Sequence, residues 1–331
     1  MAVARQYSGT LGRVDSCQVA VFLAYAQPGA GHALVDREIY LPRCWAADPD
    51  RRRDAGVPER VKFATKPQLA AVMLERALAA GLDLSWLTGD EVYGNDPVLR
   101  ARARAHRLGY VMAVSRDTRM TRPDHPHLTV TAQQIATFLP EHVWGRYSAG
   151  AGSKGPRTYD WAYVKIAESE ADGSVAGHHW LLIRRSITTG ELAFYRCWSP
   201  RPVALAALVR VAGARWAIEE SFQQAKGQVG LDEHQVRTWR SWYRFTTLAM
   251  VAFAFLAVLS ARHRPPRPTL PRPDDPIGLS VPETRRLLHW IIKPVQQSID
   301  HALAWTAWRL RHQARARFHH YRRRTSIDLP R

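Results

Sequence analysis

The stretch that decides the fold is LSWLTGDEVYG, residues Leu84–Gly94. Its apolar start, Leu84–Leu87, predicts a short β-strand that runs through Thr-Gly into the carboxylates Asp90 and Glu91. An acid at the carboxyl end of a strand suits a Mg²⁺ ligand, because Mg²⁺ takes one or two protein carboxylates and completes its shell with water and phosphate. The alternative is that Asp90 is an ordinary turn or helix-capping residue.

Strands and helices alternate on both sides of this stretch. Strands are expected at Gln18–Tyr25, Ala33–Pro42 and Gly109–Val114, and helices at Pro67–Ala80 and Pro97–Arg107. This order predicts an α/β protein with a mixed sheet, in which the acidic turn lies at the carboxyl end of one strand.

The second half of the chain changes from strand-like to helical patterns. Between Ser115 and Gly213, strand-like runs at Trp161–Ala167, Trp180–Ile187 and Leu192–Trp198 indicate a β-rich insertion. Helices are expected at Ala214–Gly227, Gln235–Ala261 and Ile299–Tyr321, with a short one that opens at the capping-box residue Ser280 and ends at Ile292. Seven of the 21 prolines lie in Arg262–Pro282, which predicts a linker before the short helix.

The charge balance indicates a polyanionic partner. The 331 residues include 47 Lys and Arg against 29 Asp and Glu, a net charge of +18, and His301–Arg331 alone holds eight Arg against the single acid Asp328. Lys and Arg release condensed counterions from phosphates, so nucleic acid is the leading partner and an anionic membrane surface is the second.

Other classes of protein find little support in the sequence. The uncharged run Phe245–Ala261 reaches only the lower limit for a membrane span and is better explained as a buried core helix, so no membrane association is expected. Cys17, Cys44 and Cys197 are too far apart for a disulfide framework or a Cys-x-x-Cys zinc site, which favours a reducing cytosol.

A second candidate site is the helix ARWAIEESFQQAKG at Ala214–Gly227. At about 100° per residue, Arg215, Glu219 and Lys226 fall within about 40° of one direction, while Glu220 is turned toward solvent. A cation, an acid and a cation therefore line one face of the predicted helix. A solvated i,i+4 Arg–Glu pair is the alternative.

The spacing Arg215, Glu219, Lys226 resembles the Tyr-Arg-Glu-Lys signature of bacterial insertion-sequence DDE transposases of the 4 and 701 groups. Thr88–Gly94 is similar to the second acidic motif of that family. Further similar stretches are RQYSGTLGR at Arg5–Arg13, GLD at Gly230–Asp232, QVR at Gln235–Arg237 and WYR at Trp242–Arg244. The resemblance therefore spans nearly the whole chain.

The resemblance implies an RNase H-like fold interrupted by a β-rich insertion, with a C-terminal helical extension. It implies cleavage and transfer of DNA strands with Mg²⁺ or Mn²⁺, with Asp90 and Glu219 as the second and third catalytic acids and metal ligands. Residues expected to contact DNA are Arg215, Lys226, Arg237, Arg244, Arg322, Arg323 and Arg324. The expected divisions are the first part of the core at 1–117, the insertion at 118–212, the catalytic-helix part at 213–261, the linker at 262–282 and the basic helical region at 283–331.

Two features depart from the family pattern. Ala212 stands where the signature has Tyr, and the first catalytic acid belongs on a strand ahead of Gln18–Tyr25. Asp15, expected in a turn, and Asp36, on a later strand, do not fit that position. We therefore expect an N-terminally truncated chain, in which a two-ion site would exist only in the full-length protein and a β edge is left unpaired.

The expected partners are the DNA of element ends and target, a second copy of the chain or a full-length transposase, in the bacterial cytoplasm at the nucleoid. The alternative is a catalytically inactive DNA-binding remnant or an inhibitor of the full-length enzyme. A glycosidase built on Asp90 and Glu219 is disfavoured because the flanking cations favour the ionised carboxylate. Ser221 has no His and acid near it in the sequence, so hydrolase chemistry has no support there.

Overall fold

The computed structural model of the chain describes residues 1–9, 11–152, 155–167, 176–263, 278–292 and 298–325, with side chains as far as His319. The strands are β1 (Ala4–Ser8), β2 (Arg13–Cys17), β3 (Ala20–Gln27), β4 (Gly31–Ile39), β5 (Trp86–Gly89), β6 (Gly109–Val114), β7 (Arg119–Arg122), β8 (His125–Thr131), β9 (Gly145–Gly152), β10 (Gly155–Lys165), β11 (His178–Arg185) and β12 (Leu192–Ser199). The α-helices are α1 (Arg43–Ala46), α2 (Pro49–Asp54), α3 (Lys66–Ala79), α4 (Glu91–Gly94), α5 (Pro97–Ala105), α6 (Ala132–Thr137), α7 (Leu205–Ala214), α8 (Trp216–Val229), α9 (Trp239–Arg262), α10 (Val281–Ile292) and α11 (Ile299–Thr325).

A mixed six-stranded sheet forms the centre of the fold. Its strand order is β5-β6-β12-β11-β10-β9, in which β5 and β6 are parallel and the other neighbours are antiparallel. The pairs β1–β2, β3–β4 and β7–β8 are separate two-stranded hairpins. The predicted α/β class with a mixed, RNase H-like sheet and a C-terminal helical region is confirmed.

The hairpin β3–β4 is built from the two apolar runs that the sequence predicts as strands. Ala20 pairs with Ile39 at one end and Gln27 with Gly31 at the other. The connecting turn holds Gly29 at φ +84°, a conformation that favours glycine. The hairpin packs against α3 on one side and against α8 and α9 on the other.

Helices cover both sides of the sheet. On one side, Leu74 of α3 and Leu99 of α5 pack with Met112 of β6. On the other side, Leu208 and Val209 of α7 pack with the tryptophans of β10 and β11. Helix α3, which its Pro-initiated, Gly-terminated sequence predicts, begins at a capping box in which Thr65 accepts from the backbone of Gln68.

The strands of the predicted insertion extend the same sheet as β5 and β6. Strand β12 pairs directly with β6, from Phe194 opposite Val114 to Trp198 opposite Tyr110. Trp198 is fully buried in the cluster that joins α3 and α5 to β6. The chain divisions at 117 and 212 therefore stay a prediction, since the sheet continues across them.

Helix α9 is a core helix with an exposed apolar side. Its buried face includes Met250 and Phe253, while Leu248, Val251, Phe255 and Val258 are exposed. By length and composition it is the described helix that is apolar enough to cross a membrane, and 33% of its apolar window is buried within the protein. The predicted linker Arg262–Pro282 falls for the most part on 264–277, which lie outside the described residues.

The C-terminal helices α10 and α11 are joined by a buried acid. Ser280 Oγ accepts from the backbone N–H of Glu283, as the capping-box spacing predicts. The Glu283 side chain is fully buried and both of its oxygens accept from Arg309 Nε at 2.9 Å, with Arg286 on the same carboxylate. One cation of the basic C-terminal helix is therefore engaged inside the protein.

Candidate metal and DNA-binding site

Asp90 lies immediately after β5, at the carboxyl end of the strand, and caps α4. Its Oδ1 accepts from the backbone N–H of Val92 at 2.9 Å. The predicted alternative of a helix cap is thus present. The carboxylate is exposed, so its second oxygen can still reach a ligand. Burial, and then the charge of Asp90, raises the pKa of Tyr93 to about 12, so this phenol stays protonated beside the acid.

A close contact between α4 and the sheet fixes the position of Asp90. A Cβ on Gly94, the last residue of α4, would lie 1.9 Å from the carbonyl oxygen of Ala113 in β6. Only glycine fits at that distance. The requirement for glycine at the end of the GDEVYG stretch is therefore a packing requirement that keeps the acidic turn against β6.

Glu219 lies in the first turn of α8. Its Oε1 is 3.2 Å from Nη1 of Arg215, the residue at which α7 gives way to α8, and the predicted i,i+4 pair is therefore present. The Glu219 side chain is 47% exposed. A negative charge in the first turn is also favoured by the helix dipole.

One cavity brings these residues together. Its volume is about 1450 Å³, and its wall includes Asp90, Glu219, Arg215 and Lys226. Lys226 also lies 3.8 Å from Asp232 Oδ2, in a half-exposed ion pair. The wall also includes the acids Asp83, Glu220 and Asp232 and the cations Lys66, Arg157 and Arg210, so it combines carboxylates with cations, a composition that suits a phosphate and a divalent cation.

Two of the other predicted DNA contacts lie away from this wall. Arg237, in the segment before α9, and Arg244, on α9, are exposed and do not line the cavity. Arg322, Arg323 and Arg324 fall within the backbone of α11, but their side chains lie outside the described residues. The same cavity is therefore lined by Asp90, Glu219, Arg215 and Lys226 and not by Arg237 or Arg244.

The two aspartates considered for the first acid are both engaged elsewhere. Asp15, expected in a turn, lies in β2, where the exposed Arg13 binds it at 3.0 Å. The expectation of a turn was wrong because β2 is short and polar. Asp36 accepts from Arg76 at 2.8 Å on the far side of the hairpin, and Arg76 also holds Glu38.

The structure corrects the prediction for Ser221 and Glu220. His32, from β4, lies with Nδ1 2.7 Å from Ser221 Oγ and Nε2 3.5 Å from a Glu220 oxygen. Ser221 Oγ donates its proton to the carbonyl of Ala217, so Nδ1 of His32 is the donor to Ser221. Glu220 thus faces a protein side chain, and a His and an acid do stand beside Ser221.

This arrangement does not make Ser221 a nucleophile. Its side chain is fully buried, and its proton is committed to a backbone carbonyl, whereas a catalytic serine passes its proton to the base. The three groups instead tie the hairpin β3–β4 to α8 next to Glu219. No local pattern in the sequence predicts this contact, because 189 positions separate His32 from Ser221.

An aromatic and cationic pair missed by the sequence reasoning also borders the cavity. Trp216, the first residue of α8, is 46% exposed. The Arg157 guanidinium lies 5.8 Å from the centre of its ring. Arg157 also donates to the carbonyls of Ala149 and Gly213, at 2.8 and 3.0 Å. Burial lowers the pKa of Arg157, but a guanidinium remains charged at neutral pH.

Asp90 and Glu219 are two protein carboxylates on the wall of one cavity. Two acids with water and phosphate oxygens satisfy the usual needs of a Mg²⁺ ion. Among the residues that the structure describes, no three His, Cys, Asp or Glu side chains gather closely enough to hold a metal ion. A two-ion centre would therefore need a further ligand.

Residues 1–137 match the family model described as DDE superfamily endonuclease. The matched region includes Asp90 and the strands from β1 to β8, and it ends before Glu219. No curated protein matches the sequence. The match supports a DDE-type, transposase-like family, for which DNA is the substrate and divalent metals are the typical cofactors.

Proposed function

We propose that this protein is a DDE-type transposase of a bacterial insertion sequence, acting on the DNA of element ends and target with Mg²⁺ or Mn²⁺. The observation that carries the proposal is the common cavity. Asp90 after β5 and Glu219 on α8 line it together with Arg215 and Lys226, although these residues come from distant parts of the chain. The match of residues 1–137 supports the same class of chemistry.

In this proposal the cavity residues hold and orient the scissile phosphate. A divalent cation held by Asp90 and Glu219 would act as a Lewis acid on the phosphate and lower the pKa of its bound water. Val92 orients the Asp90 carboxylate through the helix cap. Arg215 and Lys226 place positive charge where a phosphate would bind, and charge-assisted bonds of this kind are strong.

A catalytically inactive DNA-binding remnant, or an inhibitor that pairs with a full-length transposase, is the second candidate. The observation that favours it is that no third carboxylate or imidazole joins Asp90 and Glu219 in the described part of the chain. In both candidates the protein acts in the bacterial cytoplasm at the nucleoid.

A nicking assay on supercoiled plasmid with Mg²⁺ or Mn²⁺ separates the two candidates. For the transposase, Asp90→Asn and Glu219→Gln each lower nicking by about a hundredfold or more, since each removes a metal ligand. Glu91→Gln, beside Asp90 in the sequence and absent from the cavity wall, serves as the matched control and leaves nicking unchanged.

DNA affinity measured against salt completes the test. Tight binding that falls steeply with salt, without acid-dependent nicking, selects the remnant, because contacts to several phosphates produce that slope. Salt-independent binding together with no nicking would overturn both candidates.

A further inference from the structure

One exposed face of α11 carries a row of aromatic rings and a cation. At about 100° per residue, six residues of this helix fall within about 80° of one direction. The row is about 27 Å long, and all six of its residues are exposed. They are His301, Trp305, Trp308, His312, Arg315 and His319. This row is called the ring stripe.

The opposite face of α11 fixes the helix to the protein. The residues buried on that face are Ala302, Thr306, Ala314 and Phe318. The helix contacts α10 and β10, and Arg309 binds the buried carboxylate of Glu283 at 2.9 Å. The ring stripe therefore lies on a helix that is held by its other side, with its rings turned toward solvent.

The rings of the stripe contact one another along the helix. Trp305 and Trp308 pack edge-to-face with their ring centres 5.3 Å apart, and the Trp308 ring lies 4.1 Å from that of His312. The His301 ring lies 6.5 Å from Trp305. Trp305 and Trp308 nevertheless remain 48% and 47% exposed. The stripe is thus a continuous aromatic surface that is open to solvent.

The charge of α11 is almost wholly positive. The helix contains seven Arg, and Asp300 in its first turn is its single acid. Arg315 lies in the ring stripe and the exposed Arg311 lies beside it. Open aromatic rings with flanking cations suit a ligand that combines flat rings with negative charge.

The composition of the stripe favours an unpaired nucleic-acid strand over three other ligands. In a duplex the faces of the bases are stacked on one another, so the rings of the stripe would meet only phosphates and groove edges. A membrane-binding helix needs an apolar face, whereas here His and Arg share the face with the two Trp. A second copy of α11 would bring positive charge against positive charge.

We propose that the ring stripe of α11 binds an unpaired nucleic-acid strand. Bases stack on Trp305 and Trp308, and Arg311 and Arg315 contact the phosphates between them. Every base has an aromatic face, so this binding tolerates any sequence. No described residue of α11 lines the cavity that holds Asp90. The stripe is therefore a separate surface, and its binding of single strands does not depend on the proposed cleavage.

Paired substitutions of the two tryptophans test the role of the rings. Fluorescence anisotropy measures the binding of labelled oligothymidine and oligouridine of about 20 nucleotides and of a DNA duplex of the same length. Trp305→Leu with Trp308→Leu keeps apolar side chains but removes the aromatic faces, and should weaken single-strand binding by about tenfold or more. Duplex binding should change by less than about twofold, because duplex bases are not open to the rings.

Two control variants accompany the leucine pair. Trp305→Phe with Trp308→Phe keeps aromatic faces and should bind single strands within about threefold of the unchanged protein. Leu303→Ala truncates an exposed apolar side chain of the same helix outside the stripe, and should leave binding unchanged. Circular dichroism checks that each variant keeps its helices. If the leucine pair folds poorly, Trp305→Leu alone is compared with Trp305→Phe.

Salt dependence separates the rings from the cations. The loss caused by the leucine pair should be the same at low and high salt, because stacking releases no counterions. Arg311→Gln with Arg315→Gln should instead reduce the salt slope of single-strand binding by about 0.7 for each Arg. A ring-dependent loss that disappears at high salt would contradict stacking.

The outcomes decide the inference without use of nicking. Binding of either oligonucleotide that the leucine pair loses and the phenylalanine pair keeps supports it, and the ratio of the two affinities identifies a DNA or an RNA strand. Unchanged binding by the leucine pair, or an equal loss for the duplex, would overturn it. Two further results would also overturn it, each without ring-dependent oligonucleotide binding. One is co-sedimentation with vesicles of phosphatidylglycerol and phosphatidylcholine, and the other is ring-dependent self-association in analytical ultracentrifugation.

Discussion

The central strands of the six-stranded sheet and the two strands at the cavity have similar apolar sequences but different burial. Leu181, Leu182 and Ile183 of β11 have no exposed surface. In β3, Val21 is the buried residue, and all four residues of β5 are half-buried. The difference lies in their neighbours, since β11 has a strand on each side and β3 and β5 each have one. An apolar pattern makes a strand, and its neighbours decide how much that strand stabilises the fold.

The largest effect is expected from truncation of one leucine in each of the two regions. Leu182→Ala should lower the free energy of unfolding by about 2–5 kcal/mol, because it leaves a void in a close-packed cluster. Leu23→Ala, on the cavity wall, should cost about 1 kcal/mol, because its side chain is half-buried beside space that is already empty. Urea unfolding of both variants measures the two costs. If both leucine variants lose the same free energy of unfolding, the cavity wall is packed as tightly as the central sheet.

The next effect concerns two glycines near the cavity. Gly94→Ala should destabilise the protein by about 1–3 kcal/mol, because its Cβ would meet the Ala113 carbonyl and push α4 from β6. Gly227→Ala, near the end of α8, meets no atom within 4 Å and should stabilise by up to about 1 kcal/mol. The thermal unfolding midpoints of the two variants measure these opposite effects. Destabilisation by both would show that the α8 side of the cavity has no spare room.

A smaller effect on stability is expected at His32, whose contacts join the hairpin β3–β4 to α8. His32→Ala removes the hydrogen bond to Ser221 and the contact with Glu220, and should lower the free energy of unfolding by about 1 kcal/mol. Faster hydrogen exchange should be confined to β3, β4 and the start of α8. The exposed His142 supplies the matched control through His142→Ala. If His32→Ala lowers the free energy of unfolding no more than His142→Ala does, the contacts of His32 do not hold the hairpin against α8.

The smallest effect concerns acid sensitivity of the well-partnered sheet. Arg146 on β9, which binds Asp160 on β10 at 3.0 Å, holds the pKa of Asp160 below its usual range. A lowered native pKa stabilises the fold at neutral pH, and this stabilisation is lost as the pH falls below about 4, toward the native pKa. Asp160→Asn should remove about 0.5–1 kcal/mol at pH 7 and little at pH 3. Urea unfolding at both pH values checks this, and equal losses at the two would contradict it.

Strong local patterns made much of the fold predictable. The segments β3, β4, α3 and β6 lie within three residues of their predicted bounds, because apolar runs and Gly or Pro punctuation mark them clearly. The position of Asp90 at the end of β5 followed from the same kind of signal. The hairpin β1–β2 was missed because its strands are short, polar and largely exposed.

The features that could not be predicted depend on contacts between residues that are far apart in the sequence. The pairing of β12 with β6 joins the predicted insertion to the core sheet, and no local pattern selects a strand's neighbour. The contact of His32 with Ser221 likewise depends on how the hairpin docks on α8. The shared cavity of Asp90 and Glu219 was expected from family resemblance and not from the residues between them.

The cap bond from Val92 to Asp90 bears on how strongly the site can respond to a cation. Because that N–H holds Oδ1 before any ligand arrives, the rotamer freedom of the carboxylate is already lost on folding. Glu219, by contrast, is held by a single long and partly exposed arginine side chain. If Asp90 and Glu219 act as proposed, the Asp90 carboxylate is preorganised and the Glu219 carboxylate is adjustable, so Asp90 should govern ion selectivity and Glu219 the tolerance of different phosphate positions.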